Sequence, residues 1–131
     1  MALAATNQQY RKINILVVDD CKSMRDVIAF TIHAEGYECE LANNGEVALE
    51  FAHSQHFDLI LTDINMPVMN GIKLTDELRK LPSYKHTPIL ILTTECSSEM
   101  KQEGRGVGAT GWIVKPFNGE KLIDAIKKVT S

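Results

Sequence analysis

The 131-residue chain carries 44% hydrophobic and 24% charged residues, the balance of one folded domain with its own core, which excludes wholesale disorder. Its 17 acidic residues outnumber 14 basic ones for a net charge of −3, which argues against a nucleic-acid or anionic-membrane surface. Apolar runs such as Ile15–Val18 and Ile89–Leu92 are four residues long, whereas a membrane span needs about 20.

Residues 1–12, polar around Thr6-Asn7-Gln8-Gln9, read as a flexible tail ahead of one domain over 13–131. Short β-branched or leucine-rich runs at 13–18, 38–42, 58–62, 88–93 and 111–115 read as strands, and the stretches between them have helical period. After the first run, Met24, Val27, Ile28 and Ile32 share one helical face, and Gly36 is a plausible stop. Val47, Ala48, Phe51 and Ala52 carry a second helix. Leu74, Leu78 and Leu81 carry a third, which Pro82 ends. The stretch 97–108 predicts a marginal, mobile helix, because its main apolar anchors are Met100 and Val107 and each interior glycine costs about 0.8–1 kcal/mol relative to alanine. Leu122, Ile123, Ile126 and Val129 carry the last helix, with Lys127 and Lys128 at its negative end. The Asn-Gly pairs at 44–45, 70–71 and 118–119 each precede a helical period, so the Asn reads as an N-cap or turn residue rather than as a hairpin turn. Strands alternating with helices predict an α/β fold on a parallel sheet with helices on both faces.

Ligands of such sheets bind beyond the carboxyl ends of the strands. There the chain places Asp19-Asp20, Asp63, Thr93 and Lys115. Three carboxylates at one edge repel one another unless paired, and an oxygen-only donor set suits Mg²⁺. Magnesium retains waters and favours a phosphate oxygen beside its carboxylates, so the site reads as built for an incoming phosphoryl group. Lys115 and the Thr93 hydroxyl can meet further phosphate oxygens, and a carboxylate can itself be the nucleophile. Singly, each residue is more often a cap, a turn or a solvated side chain. Four strand ends with complementary groups reverse that balance.

Val18-Asp19-Asp20, Asp63-Ile64-Asn65-Met66-Pro67, Asn70-Gly71, Leu92-Thr93 and Lys115-Pro116-Phe117 together resemble the receiver domain of two-component response regulators over residues 13–129. The stretch Gly108–Phe117 is especially similar to single-domain chemotaxis regulators. The resemblance implies a doubly wound, five-stranded, flavodoxin-like sheet of order 2-1-3-4-5. It implies Asp63 as phosphoacceptor, Asp20 as a direct Mg²⁺ ligand, Asp19 as a partner of the metal through water, and Asn65 as a ligand through its carbonyl. It further implies Thr93 and Lys115 as phosphoryl contacts, with Thr93 and Trp112 as the switch pair, Trp112 standing where Tyr or Phe is commoner. Asn65 and Glu95 match positions that influence loss of the phosphoryl group. A cis Lys115–Pro116 bond is also implied. The partners implied are a sensor histidine kinase as phosphodonor, a phosphatase, and a flagellar motor switch protein or another effector. Lysines of motor-binding members fall here on Ser97 and Ala125, so weak motor binding is expected, with a phosphate-sink role as the alternative. The protein is expected to be a signalling monomer that catalyses only its own phosphorylation and dephosphorylation.

Rival readings meet specific obstacles. A phosphatase with an Asp nucleophile normally shows D-x-D, and Asn65 cannot protonate a leaving group. A flavodoxin would suffer repulsion between Asp19-Asp20 and the flavin phosphate. An interaction module with an inactive site would not need the full acceptor set. Gly106–Gly111 fits G-x-G-x-x-G but closes a helix instead of opening one. His33, His53, His56 and His86 form no ligand pair. Cys21, Cys39 and Cys96 lack C-x-x-C spacing, and no basic residue leads into Met1–Ala5, so neither a disulfide framework nor a signal peptide is expected and a cytoplasmic setting follows.

Overall fold

The computed structural model describes residues 12–94 and 97–131; the expected tail, apart from Lys12, lies outside them, as do Glu95 and Cys96. Five strands alternate with five α-helices: β1 (Asn14–Val18), α1 (Lys22–Ala34), β2 (Glu38–Ala42), α2 (Gly45–Ser54), β3 (Leu59–Asp63), α3 (Gly71–Arg79), β4 (Ile89–Thr93), α4 (Ser98–Val107), β5 (Gly111–Val114) and α5 (Gly119–Thr130). A 3₁₀ turn at Pro82–Tyr84 follows α3. The strands pair in parallel in the order β2-β1-β3-β4-β5, as the resemblance implies.

Strand alternation splits the core in two. Ile15, Val17, Leu59, Leu61, Leu90, Leu92 and Ile113 face α1 and α5, where Ile28, Ile32, Leu122, Ile123 and Ile126 close the layer. Leu16, Val18, Ile60 and Ile89 face the other way, onto Ala48 and Ala52 of α2 and Leu74 and Leu78 of α3. Because both faces are covered, β3 and β4 are buried at nearly every position.

The three Asn-Gly pairs are helix starts. Asn44, Asn70 and Asn118 each accept, through Oδ1, the N–H of the residue three positions on, at 3.0, 2.8 and 2.8 Å. Gly36 follows α1 with φ of 90°, as its reading as a stop requires. Two expectations need correction. Val27 is 56% exposed, because Ile28 and Ile32 already occupy the inward stripe of α1. Along α4, Met100 and Val107 are only partly buried, and Gly104 is the residue that goes fully inside.

Arg79, at the end of α3, holds the opposite edge of the molecule together. Its Nε and Nη2 donate to the Gly108 carbonyl at 3.0 and 2.8 Å. Its Nη1 donates to the carbonyls of Tyr84 and Thr87 at 2.6 Å each. One guanidinium thereby ties α3, the turn before β4 and the end of α4 through charge-assisted bonds.

The β3–α3 loop turns at Val68, whose φ is 72°, and the Met69 N–H closes a γ-turn on the Pro67 carbonyl at 2.7 Å. A β-branched residue in the left-handed region is strained, by about 1–3 kcal/mol. Val68 is 69% exposed, so its side chain gains little packing in return. Val68→Asn is therefore expected to raise the unfolding free energy by about 1 kcal/mol in urea titrations, since Asn tolerates positive φ. Val68→Ile is expected to give no gain, and equal effects of the two would refute the strain.

Candidate functional site

The parallel register brings the carboxyl ends of the strands level. Val18 pairs with Thr62, Asp63 with Leu92 and Thr93 with Val114. The residue following β1, the last residues of β3 and β4, and the residue following β5 therefore converge on one edge. Asp19, Asp20 and Asp63 each offer a carboxylate oxygen there, all within 4.8 Å of one another.

Asp19 is 1% exposed and fully engaged. Its Oδ1 accepts the Cys21 N–H at 2.9 Å, its Oδ2 accepts the Lys115 ammonium at 2.9 Å, and its backbone carbonyl accepts Arg25 Nη1 at 2.8 Å. Asp20, its neighbour, is exposed. Asp63 lies between them in burial, at 14% side-chain exposure. The Asp63 Oδ1 accepts the Ile64 N–H at 2.9 Å and lies 3.5 Å from Lys115 Nζ.

Electrostatics follow from this packing. Burial raises the Asp63 carboxyl pKa, Lys115 opposes the rise, and the charge of Asp19 adds to it. Burial pulls the Lys115 ammonium the other way, but its hydrogen bond to Asp19 and the charges of Asp19 and Asp63 win, so its pKa is raised. Lys115 is therefore a fixed positive charge between two acids. Lys115–Pro116 is cis.

Thr93 is fully buried at the end of β4. Asn65 is exposed in the loop after β3. Trp112 pairs with Ile91, two positions before the Thr93–Val114 pair, so Trp112 and Thr93 share one face of adjacent strands. Glu95 lies outside the described residues.

Two supporting residues have no local signal that would assign them a task. Arg25 reaches back from α1 to the Asp19 carbonyl. Gly71 sits so close to the Asp63 carbonyl that a Cβ there would overlap it, and its N–H donates to Ile64 at 2.9 Å. The Asn70-Gly71 pair is visible in the sequence as a helix start, but the need for a bare Cα against Asp63 is a tertiary fact.

Comparison with known proteins agrees with this geometry. The response regulator receiver domain family model matches residues 15–127. The chemotaxis protein CheY of Pseudomonas aeruginosa is 36% identical over 118 residues, covering 89% of this chain and 95% of that one. CheY-3 of Vibrio cholerae is 34% identical over 120 residues, covering 91% and 92%. The structure of V. cholerae CheY4 superposes with a TM-score of 0.89 at 48% identity, covering 91% and 99%. The receiver domain of the P. aeruginosa sensor histidine kinase PA1611, with magnesium coordinated in its active-site cleft, gives 0.85 at 27% identity, covering 92% and 100%. This chain belongs to the response regulator receiver domain family.

Proposed function

We propose that the protein is a phosphorylation-controlled switch of the chemotaxis type, in which Asp63 takes a phosphoryl group from a sensor histidine kinase. The observation that carries the reading is the cluster of Asp19, Asp20 and Asp63 with Lys115 at its centre. An oxygen-only cluster within 4.8 Å suits a hard divalent cation, which supports Mg²⁺ as the cofactor. Asp20, Asp63 and the Asn65 carbonyl would hold it directly and Asp19 through water, and when bound it neutralises charge building on the phosphoryl oxygens. Asp19 suits the indirect role because both of its oxygens are already engaged.

In the transfer, an Asp63 carboxylate oxygen attacks phosphorus, the P–N bond to the donor histidine breaks, and the imidazole leaves with a proton. The described contacts of Asp63 fall on Oδ1, which makes Oδ2 the attacking atom. Lys115 holds the carboxylate and meets a phosphoryl oxygen, and the Thr93 hydroxyl meets another. Drawing Thr93 toward the phosphoryl group opens space beside it, into which Trp112 turns, remodelling the face made by α4, β5 and α5. The same site would catalyse loss of the group as hydrolysis at phosphorus, with Asn65 and Glu95 at the positions that tune it. Residues 13–131 form the receiver unit in this reading, acting as a cytoplasmic monomer, with 1–12 as a tail. No helix among the described residues is long and apolar enough to cross a membrane.

Ser97 is the N-cap of α4 and Ala125 lies in the groove of about 470 Å³ beside Trp112, so neither gives the positive contact found in motor-binding members. That favours another effector, or service as a phosphate sink, over strong motor binding.

Acetyl phosphate with Mg²⁺ is expected to add one phosphoryl group to the protein and none to Asp63→Asn, by intact-mass measurement; full labelling of that variant would refute the acceptor. Asp19→Ala is expected to weaken Mg²⁺ binding about tenfold, as an outer-shell partner does, and Asp20→Ala by more. Calorimetric titration giving the reverse order would exchange their roles. A motor-switch peptide is expected to bind the beryllofluoride-activated protein weakly, and tight activation-dependent binding would overturn the inference from Ser97 and Ala125.

A further inference from the structure

Helix α4 is held by two devices of different kinds. Among its residues Gly104 alone is buried, and what buries it is the indole of Trp112. A Cβ at Gly104 would overlap Trp112 Cζ2 and come within 3.2 Å of Cε2 and Cη2. The second device lies at the far end. Gly108, with φ of 98°, ends the helix in the left-handed conformation, and its carbonyl is gripped twice by Arg79. At the beginning of α4, among the described residues, the side-chain hydrogen bond is the Ser97 cap, with Oγ accepting the Met100 N–H at 3.2 Å.

We propose that Gly104 is the positioning residue of the switch: it forms the socket that holds the Trp112 ring against α4, so that departure of the ring releases the first half of the helix while Arg79 keeps its end fixed. The placement on the sheet gives the direction. Trp112 lies beside Ile91 on the strand face that also carries Thr93, two pairs further along. A ring that turns toward Thr93 leaves Gly104, and α4 then loses its one fully buried contact. The indole reaches the helix only because position 104 has no side chain, so the large aromatic and the glycine are a matched pair. The glycine that weakens α4 by propensity is thus the residue that lets the switch aromatic touch it. This inference rests on the acceptor reading of Asp63 for its trigger, but the socket itself can be tested without any phosphodonor.

The test uses the full chain. Gly104→Ala, unphosphorylated, is expected to shift Trp112 emission and acrylamide quenching in the direction that beryllofluoride produces in the parent, and to do so equally in an Asp63→Asn background. Emission unchanged from the parent would overturn the socket, whether or not stability falls, because the helix and not the ring would then have yielded. Thermal midpoints supply a second readout. Adding Gly104→Ala is expected to lower the midpoint when Trp112 is present and to raise it beside Trp112→Leu, where alanine's better helix propensity is unopposed. A rise in both backgrounds would overturn the pair. In the parent, hydrogen exchange on beryllofluoride activation is expected to accelerate over residues 98–104 and to stay constant at 107–109; a uniform change would overturn the fixed end. Beryllofluoride without effect on the parent, beside a shifted Gly104→Ala, would count against the acceptor reading and sever the socket from phosphorylation.

Discussion

Three carboxylates within 4.8 Å at one sheet edge are a standing repulsion, and the fold is arranged so that Lys115 relieves it. The ammonium sits 2.9 Å from Asp19 and 3.5 Å from Asp63, and all three side chains are mostly withdrawn from water. In such surroundings an unpaired acid would be expelled or protonated. The parallel register delivers Asp63 and Thr93 to the edge as last residues of their strands, and Asp19 and Lys115 just beyond theirs. The charge balance is incomplete, with three acids against one base, and in the proposed function that deficit is what draws a cation and then a phosphoryl group to the edge.

The apolar layers exist to hold that edge level. Residues alternate strictly between the layer under α1 and α5 and the layer under α2 and α3, so a slip of one residue in any central strand would exchange the two layers and misplace its terminal acid. Backbone contacts finish the alignment. Gly71 lets α3 begin directly against the Asp63 carbonyl, and Arg25 secures the carbonyl of Asp19 from the other side.

Much of this was legible in the sequence because it depends on local pattern. The strand runs, the three Asn caps and the group carried at each strand end need only neighbouring residues to be read, and the family resemblance supplied the strand order. The parts that escaped depend on what comes near in space. Val27 falls on an apolar helical face by spacing, yet Ile28 and Ile32 fill the inward stripe and leave it outside. The glycines of α4 read as a weakness, and only the position of Trp112 shows why Gly104 is tolerated. Arg79 in a helix-ending Leu-Arg-Lys stretch looks like any solvated base, because its carbonyl partners lie up to 29 residues away.

The partners of Arg79 have a consequence for how this chain tolerates change. All of them are main-chain oxygens, belonging to Tyr84, Thr87 and Gly108. Exchanging the side chain of Thr87 leaves its acceptor in place, whereas at Gly108, with φ of 98°, a Cβ would crowd the Arg79 side chain. The vulnerability of the anchor is gathered into one guanidinium and one glycine. Lysine, with a single point of charge, cannot reproduce a fork that reaches three carbonyls at once. Mutational robustness at this edge of the molecule is therefore uneven by construction: present at Thr87, and absent at Arg79 and Gly108.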